Sequence, residues 1–276
     1  MVFDLSIWLS GLVVLAAMGF ATWLLSLPLR NVSIVDSLWS LMFLAATVVY
    51  VRLAPEWDVA AGPHELAGGP PQRRWLILVL VGLWALRLAV YITVRNLGHG
   101  EDRRYVAIRR RNEPHFALKS LWLVFGFQVL LAWIVSLPLL GAALGSKPLG
   151  WLDYAGVALW IVGFAFEAGG DWQLARFKAD PANQGKVMDR GFWRWTRHPN
   201  YFGDFCVWWG FFLIGLSTGA WWGIVGSLIM SVLLMRVSGV TLLEKDIGQR
   251  RPAYAAYVRR TNTFFPGPPR SPAGPT

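Results

Sequence analysis

The chain has 276 residues, of which 55% are hydrophobic and 15% are charged, and its formal net charge is +10. Soluble domains of this length carry nearer a quarter charged residues, so the composition argues against a soluble enzyme and favours an integral membrane protein. A single cysteine, Cys206, excludes an internal disulfide.

Apolar runs of roughly twenty residues follow one another along the chain, and a run of that length crosses a hydrocarbon core about 30 Å thick. The first run is longer than the apolar part of a secretory signal and has no basic residue before it, which indicates a membrane helix. The sequence therefore predicts an all-α integral membrane protein, a seven-transmembrane helical bundle. The seven predicted spans are Ile7–Leu27, Ile34–Leu53, Trp75–Val94, Leu118–Leu144, Trp151–Gly170, Phe202–Thr218 and Trp221–Leu242.

Positive charge is concentrated in alternate loops of this bundle. Arg30, residues 95–119, residues 172–200 and the C-terminal segment together hold 20 of the 26 Lys and Arg residues. Because Lys and Arg accumulate on cytoplasmic loops, we expect the N-terminus outside and the C-terminus in the cytoplasm. The membrane topology thus explains the positive net charge, and we expect no nucleic-acid partner. We predict one membrane domain, residues 1–266, followed by a disordered tail, residues 267–276.

Ionisable residues within apolar spans are costly and are therefore candidates for function. Asp36 begins the second span, where it is either a substrate-facing acid or, with Ser33 three residues earlier, part of a helix cap. Arg87 lies inside the third span, with Tyr91 and Arg95 four and eight residues further on. This stripe points toward the basic loops, and a snorkelling arginine is the alternative interpretation.

Two pairs of polar residues are spaced four apart, which places each pair on one helix face. Glu167 and Asp171 lie near the cytoplasmic end of the fifth span, and Asn200 and Asp204 lie at the start of the sixth. They could bind the hydroxyls and amide of a nucleotide cofactor, or form a salt-bridge network with the basic loops. The C-terminal segment adds polar residues that could return over the same end of the bundle or lie on an interfacial helix. These are Glu244, Arg251, Tyr254 and Tyr257.

Several common signatures are missing from the sequence. It contains neither a dinucleotide-binding G-x-G-x-x-G motif nor a phosphate-binding P-loop motif, so a nucleotide would be recognised by helical side chains. The four histidines lack close metal-ligand spacing, and we expect no metal site.

Three stretches carry a resemblance to a known family. They are TRHPNYFGDFCVWWG at residues 196–210, NVSIVDSLW at residues 31–39 and YAAYVRRTNTFFP at residues 254–266. Together they resemble the membrane-embedded steroid 5-alpha-reductases (3-oxo-5-alpha-steroid 4-dehydrogenases), in particular a bacterial member of the DUF1295 branch. The resemblance implies NADPH-dependent reduction of the Δ4 double bond of a 3-oxo-Δ4 steroid or similar lipid enone. Hydride would go to C5 and a proton to C4, while an acid pair polarises the ketone oxygen.

The resemblance also implies roles for individual residues. Asp36 is the best counterpart of the substrate-facing acid. Trp84 aligns with the tyrosine partner of that acid, and Tyr105 or another phenol could substitute for it. With Trp39, these residues form the predicted catalytic and substrate-binding set. Lys178 stands where the family has a phosphate-binding arginine. The predicted NADPH-binding residues are Tyr91, Arg95, Glu167, Asp171, Lys178, Arg197, His198, Asn200, Tyr201, Asp204, Glu244, Arg251, Tyr254 and Tyr257.

Two other functions fit part of the sequence. The R-H-P-N-Y core at residues 197–201 is also similar to isoprenylcysteine carboxyl methyltransferases, which would make S-adenosylmethionine the cofactor. A lipid transporter or lipid-binding protein would explain the bundle alone. The many basic residues favour NADPH, because it carries three phosphates and S-adenosylmethionine carries none. We therefore expect a monomeric reductase among membrane lipids of the bacterial inner membrane, with its cofactor site facing the cytoplasm.

Overall fold

The structure is a computed structural model, and it describes residues 3–55, 72–237 and 252–270. Every regular element in these ranges is helical, which confirms the all-α prediction for the described part of the chain. The α-helices are α1 (Leu5–Leu29), α2 (Ile34–Leu53), α3 (Gln72–Asn96), α4 (Arg103–Asn112), α5 (Phe116–Ser120), α6 (Phe127–Val135), α7 (Leu137–Ala143), α8 (Trp151–Ala179), α9 (Phe192–Trp195), α10 (Pro199–Leu216), α11 (Ile224–Val232) and α12 (Pro252–Arg260). A π-helical segment, Leu121–Gly126, joins α5 to α6.

Within the described residues, five helical segments are long and apolar enough to cross a membrane. They are Leu5–Leu29, Ile34–Leu53, Gln72–Asn96, Phe116–Val135 and Trp151–Ala179. The predicted sixth span corresponds to α10, which has polar residues in its first two turns. The predicted seventh span begins with a shorter apolar helix, Trp221–Arg236, and then enters residues 238–251, which lie outside the described residues. The number of seven spans stays a prediction.

The predicted fourth span is interrupted between α6 and α7. Ser136 immediately precedes α7, and Pro138 occupies the first turn, where a missing backbone N–H breaks no helical hydrogen bond. The Ser136 hydroxyl lies 2.7 Å from the buried hydroxyl of Tyr50 in α2. The interruption therefore also provides a polar partner for a buried phenol.

The chain forms two compact units. The first comprises residues 1–154 and 212–226, and the second comprises residues 155–211 and 227–276. In the first unit, α2 packs against both α1 and α3, as expected from the short turn that joins α1 to α2.

A buried ion pair fixes the start of α3 to the start of α8 within the first unit. The Arg73 guanidinium donates to both carboxylate oxygens of Asp153, at 2.7 and 2.9 Å, and the two side chains are 1% and 0% exposed. Ser217 donates its hydroxyl to the same carboxylate at 2.9 Å. Further bonds from Arg73 go to the carbonyls of Lys147 and Pro148. Such a fully bonded pair is tolerated at low exposure, whereas a single unpaired charge would not be.

In the second unit, glycines allow α8 and α10 to approach closely. A Cβ atom added at Gly203 would lie 2.3 Å from the backbone nitrogen of Glu167, and one added at Gly210 would lie 2.7 Å from the carbonyl oxygen of Gly156. Both distances are shorter than any real Cβ contact, so these positions require glycine. The close packing brings the polar end of α8 beside the first turns of α10.

Candidate functional site

In the first unit, Asp36, Arg104 and Tyr105 form a group that we call the phenol–carboxylate site. Tyr105, in the first turn of α4, donates its hydroxyl proton to Oδ1 of Asp36 at 2.6 Å. Arg104 donates from Nη2 to Oδ2 of the same carboxylate at 2.7 Å. The structure therefore brings together the two residues predicted to be catalytic, and it adds Arg104, which the sequence reasoning missed.

The environment of Tyr105 keeps its phenol protonated. The residue is 6% exposed, and burial raises its pKa. The negative charge of Asp36 and the hydrogen bond to it raise the pKa further. For Arg104, burial alone would lower the pKa, but the Asp36 charge and the hydrogen bond to Asp102 outweigh it and raise the pKa. The site thus holds one acceptor, one neutral donor and one cationic donor.

Hydrogen bonds from the turn between α1 and α2 position this site. Glu101 accepts from the backbone N–H of Val32 at 3.0 Å and forms an ion pair with Arg109 at 2.8 Å. Ser33 accepts the backbone N–H of Asp102 at 2.7 Å and makes no side-chain cap for α2. The helix-cap alternative for Ser33 and Asp36 is therefore wrong, because both side chains bond to the segment that begins α4.

The predicted substrate-binding tryptophans lie along one row of rings in the first unit. Trp39 packs edge-on against Phe43, with centroids 5.1 Å apart, and Phe43 lies 5.9 Å from Trp84. Trp84 is fully buried, so it offers no accessible surface to a substrate, and Trp39 is the partly exposed member. On α3, the Arg95 guanidinium lies 5.8 Å from the Tyr91 ring centroid.

In the second unit, the predicted cofactor residues of α8 and α10 lie together. The Asn200 side-chain amide donates to Oδ1 of Asp171 at 3.0 Å. Glu167, one turn before Asp171, is 3% exposed, and Asp171 is 4% exposed. Asp204 lies one turn after Asn200 on α10. We call Glu167, Asp171, Asn200 and Asp204 the α8–α10 polar cluster.

The R-H-P-N-Y segment has a more structural role than the sequence suggests. Arg197 is 6% exposed, and its guanidinium donates to the carbonyls of Val258 and Thr261 and to the hydroxyl of Thr263. Through these bonds the Arg197 side chain ties the end of α12 and the segment after it to the start of α10, and its predicted role in cofactor binding stays a prediction. His198 is buried and stacks on Tyr201 with centroids 5.7 Å apart.

The C-terminal tyrosines belong to the same packing. Tyr257, 2% exposed, donates its hydroxyl to the carbonyl of Trp193, and its ring lies edge-on to Tyr254 at 5.5 Å. Burial raises the pKa of Tyr257. The Tyr257 hydroxyl is therefore bonded within the second unit, and its predicted role in cofactor binding stays a prediction. The predicted cofactor residues Glu244 and Arg251 lie outside the described residues.

The loop that follows α8 forms a cavity of about 380 Å³, which we call the lysine cup. It is lined by residues 177–181 and 183–186, including Lys178 and Lys186. Asp180 accepts bonds from the backbone of Ala182 and the side chain of Asn183. The sequence reasoning selected Lys178 but missed Lys186. The polar D-P-A-N turn between the two lysines was the signal that could have found it, because such a turn folds the chain back on itself.

Comparisons with known proteins place this arrangement in a family. Residues 22–261 match the family described as protein of unknown function DUF1295. An uncharacterized protein of Schizosaccharomyces pombe is 25% identical, over 93% of this chain and 78% of the yeast protein. No solved structure matches the chain. The family match spans the phenol–carboxylate site, the α8–α10 polar cluster and the lysine cup.

Proposed function

The chain belongs to the DUF1295 family, which is related to steroid 5-alpha-reductase-like membrane proteins, and from this premise we propose that it is an NADPH-dependent membrane reductase. The substrate is a 3-oxo-Δ4 steroid or a similar lipid enone, reduced by hydride at C5 and a proton at C4. The hydrogen bond between Tyr105 and Asp36, 2.6 Å long, carries this proposal. An apolar helical unit with few polar groups suits a lipid enone that needs only its ketone oriented.

The phenol–carboxylate site would act on the ketone oxygen. Negative charge develops on that oxygen as hydride adds to the β carbon, and a fixed donor stabilises it. A phenol has one proton, so Tyr105 must turn its O–H from Asp36 toward the ketone. Arg104 keeps a bond to Asp36 during that change, because it donates to the other carboxylate oxygen. Arg104 is therefore proposed to hold the acceptor in place while the phenol serves the substrate.

The residues of the second unit fit the polar groups of NADPH. Asp171 and Asn200 offer a carboxylate and an amide of the kind that bond ribose hydroxyls and carboxamides. Lys178 and Lys186 line the lysine cup, whose cavity is large enough for a phosphate. We assign the cup to the 2′-phosphate, which distinguishes NADPH from NADH. When bound, the cofactor supplies the hydride.

Topology and location form part of the same proposal. Seven spans with the C-terminus inside would put the basic loops, including the lysine cup, in the cytoplasm, where reduced nicotinamide cofactors are found. The excess of Lys and Arg in alternate loops supports this orientation. The bacterial inner membrane is the proposed location, and a monomer is the proposed state.

Cofactor binding to the purified protein tests the proposal first. NADPH, NADH and S-adenosylmethionine would be titrated against the wild type and against Lys178→Gln/Lys186→Gln. Each lysine should contribute about tenfold to NADPH affinity, as expected for a charge-assisted hydrogen bond, and NADH binding should change little. Lys147→Gln removes an exposed lysine of the first unit and serves as the matched control. Binding of S-adenosylmethionine in place of NADPH would identify a methyltransferase instead.

A second experiment tests the catalytic assignment. Asp36→Ala should sharply lower turnover of 3-oxo-Δ4 steroids while leaving NADPH affinity within about twofold, because Asp36 and the proposed cofactor residues are different groups. The control is Asp4→Ala, which removes the carboxylate that caps α1. Turnover that is unchanged in Asp36→Ala would remove Asp36 from the catalytic role.

A further inference from the structure

Helix α4 divides its five arginines between two environments. Arg104 and Arg109 form ion pairs with Asp36, Asp102 and Glu101 inside the first unit. The other three are exposed, and no described carboxylate forms an ion pair with any of them. These three are Arg103, Arg110 and Arg111. The fold therefore neutralises one side of the helix and leaves the other positively charged.

The unneutralised side is a regular helix face. Arg103, Val106, Ala107, Arg110 and Arg111 follow the spacing i, i+3, i+4, i+7 and i+8, which places all five on one surface of an α-helix. They line a groove of about 420 Å³. We call these five residues the outer face of α4. An apolar floor of Val106 and Ala107 lies between cationic side chains.

The opposite side of α4 is fixed to the first unit. Tyr105 belongs to a buried cluster that includes Trp23, Val32 and Phe116, and Ile108 packs against this cluster. The Arg109 guanidinium also lies 4.5 Å from the centroid of the Phe116 ring. Because this side is held by packing and ion pairs, the outer face cannot rotate inward to find a carboxylate.

Helix α4 also has a defined position along the chain. It lies within the connection between two candidate membrane helices, Gln72–Asn96 and Phe116–Val135. A connection between consecutive spans lies at one surface of the membrane. Near its two ends stand Leu97 and Leu118, which are 75% and 59% exposed. These apolar side chains are suited to the acyl region beside the headgroups.

We propose that the outer face of α4 binds the phosphate headgroups of anionic phospholipids. Three arginines provide the charge, since guanidinium groups bond phosphate oxygens in a bidentate manner. Val106 and Ala107 provide the apolar contact that a glycerol backbone and its first methylenes would cover, and which a free phosphate would not need. A basic amphipathic helix at a membrane surface binds anionic lipid through this combination.

Lipid selectivity of the purified protein tests the proposal without any cofactor. The protein in uncharged detergent would be titrated with phosphatidylglycerol or phosphatidylcholine of the same acyl chains, and bound lipid counted by native mass spectrometry. Arg103→Gln/Arg110→Gln/Arg111→Gln should weaken phosphatidylglycerol binding by about fivefold per arginine and leave phosphatidylcholine binding unchanged. The corresponding triple lysine variant should keep most of the preference, which separates loss of charge from loss of fold.

A charge-matched control removes three exposed arginines elsewhere, as Arg52→Gln/Arg194→Gln/Arg259→Gln, and should keep the lipid preference. Equal loss in this control would show a general effect of net charge and overturn the proposal. Glycerol 3-phosphate that binds the wild type as tightly as phosphatidylglycerol would assign the face to a soluble phosphate instead. A parallel loss of NADPH affinity in the glutamine variant would assign it to the cofactor. The comparison of phosphatidylglycerol with phosphatidylcholine does not depend on whether the protein is a reductase, because lipid binding is measured directly.

Discussion

The bond between Tyr105 and Asp36 allows a test in which one atom is removed. Tyr105→Phe deletes the hydroxyl and keeps the ring that packs in the buried cluster of the first unit. Asp36→Asn keeps the size of the acceptor and removes its charge. The two substitutions and their combination form a double-mutant cycle that measures the coupling between the side chains.

The structure sets the magnitude of this coupling. A hydroxyl–carboxylate distance of 2.6 Å is typical of a charge-assisted bond, and such a bond contributes about 1.5–3 kcal/mol when buried. Arg104 provides Asp36 with a second donor, but its side chain is 43% exposed, so it compensates only in part. We expect a coupling of about 2 kcal/mol between Tyr105 and Asp36. The double variant should therefore be more stable than the sum of the single losses predicts.

Two assays separate a structural role from a catalytic one. Unfolding in mild detergent, followed by intrinsic fluorescence, gives the coupling in free energy. Turnover of a 3-oxo-Δ4 steroid at a temperature where every variant is folded gives the catalytic loss. Loss of one donor to a developing oxyanion costs about 100- to 1000-fold in kcat, and the double variant should be little worse than the worse single variant because the two residues act together.

If the two single variants lose unfolding free energy additively in the double variant, Tyr105 and Asp36 are not coupled, and the hydrogen bond between them would be refuted. A clear coupling with normal turnover in Tyr105→Phe would instead mean that the hydrogen bond exists but that the phenol does not polarise the substrate. Arg103→Gln is the matched control, since it changes another residue in the first turn of α4 without touching the Asp36 carboxylate.

Three further predictions concern stability. Gly203→Val should destabilise the protein by about 3 kcal/mol or more in a thermal unfolding assay, because a Cβ there lies 2.3 Å from a backbone nitrogen of α8. The control Gly150→Ala should be nearly neutral in the same assay, because the added Cβ meets nothing within 4 Å. Asp153→Asn should cost about 3–5 kcal/mol by leaving a buried arginine charge, whereas Arg73→Met/Asp153→Leu should recover most of it; an equal loss in the double variant would contradict this account. The raised pKa of Tyr105 means that its contribution to stability is complete below the unfolded value near 10 and is lost as pH rises through the folded value. Melting temperature should therefore fall above about pH 10, and Tyr105→Phe should flatten that fall.

Apolar runs predicted the existence of the helices better than their ends. The fifth predicted span stops at Gly170, yet α8 continues to Ala179. An apolar run marks only the part of a helix that is suited to the membrane. A helix can continue into polar turns beyond that part, and the apolar run does not show where those turns end. The same limit applies to α10, which begins at Pro199, three residues before the predicted span.

The pairing in the phenol–carboxylate site depends on tertiary contacts. Asp36 and Tyr105 are 69 positions apart, and the family resemblance aligned Trp84, not Tyr105, with the partner of Asp36. Ser33 and Glu101 bond the turn after α1 to the loop before α4, and these bonds hold Tyr105 beside Asp36. No local sequence pattern predicts such bonds. By contrast, Asp171 and Asn200 are brought together by glycine-mediated helix packing. The spacing of the two polar pairs and the resemblance to a known family had both selected these two residues.

The basic composition requires a different interpretation once the cations are located. From the sequence, the excess of Lys and Arg favoured a cofactor with three phosphates. In the structure, several of these residues bond to other groups of the protein. Arg73 is neutralised by Asp153, and the Arg197 guanidinium bonds to carbonyl groups and a hydroxyl of its own unit. The outer face of α4 remains charged and is better matched to a membrane surface. The case for a phosphate-bearing cofactor therefore depends on Lys178 and Lys186 in the lysine cup rather than on the net charge.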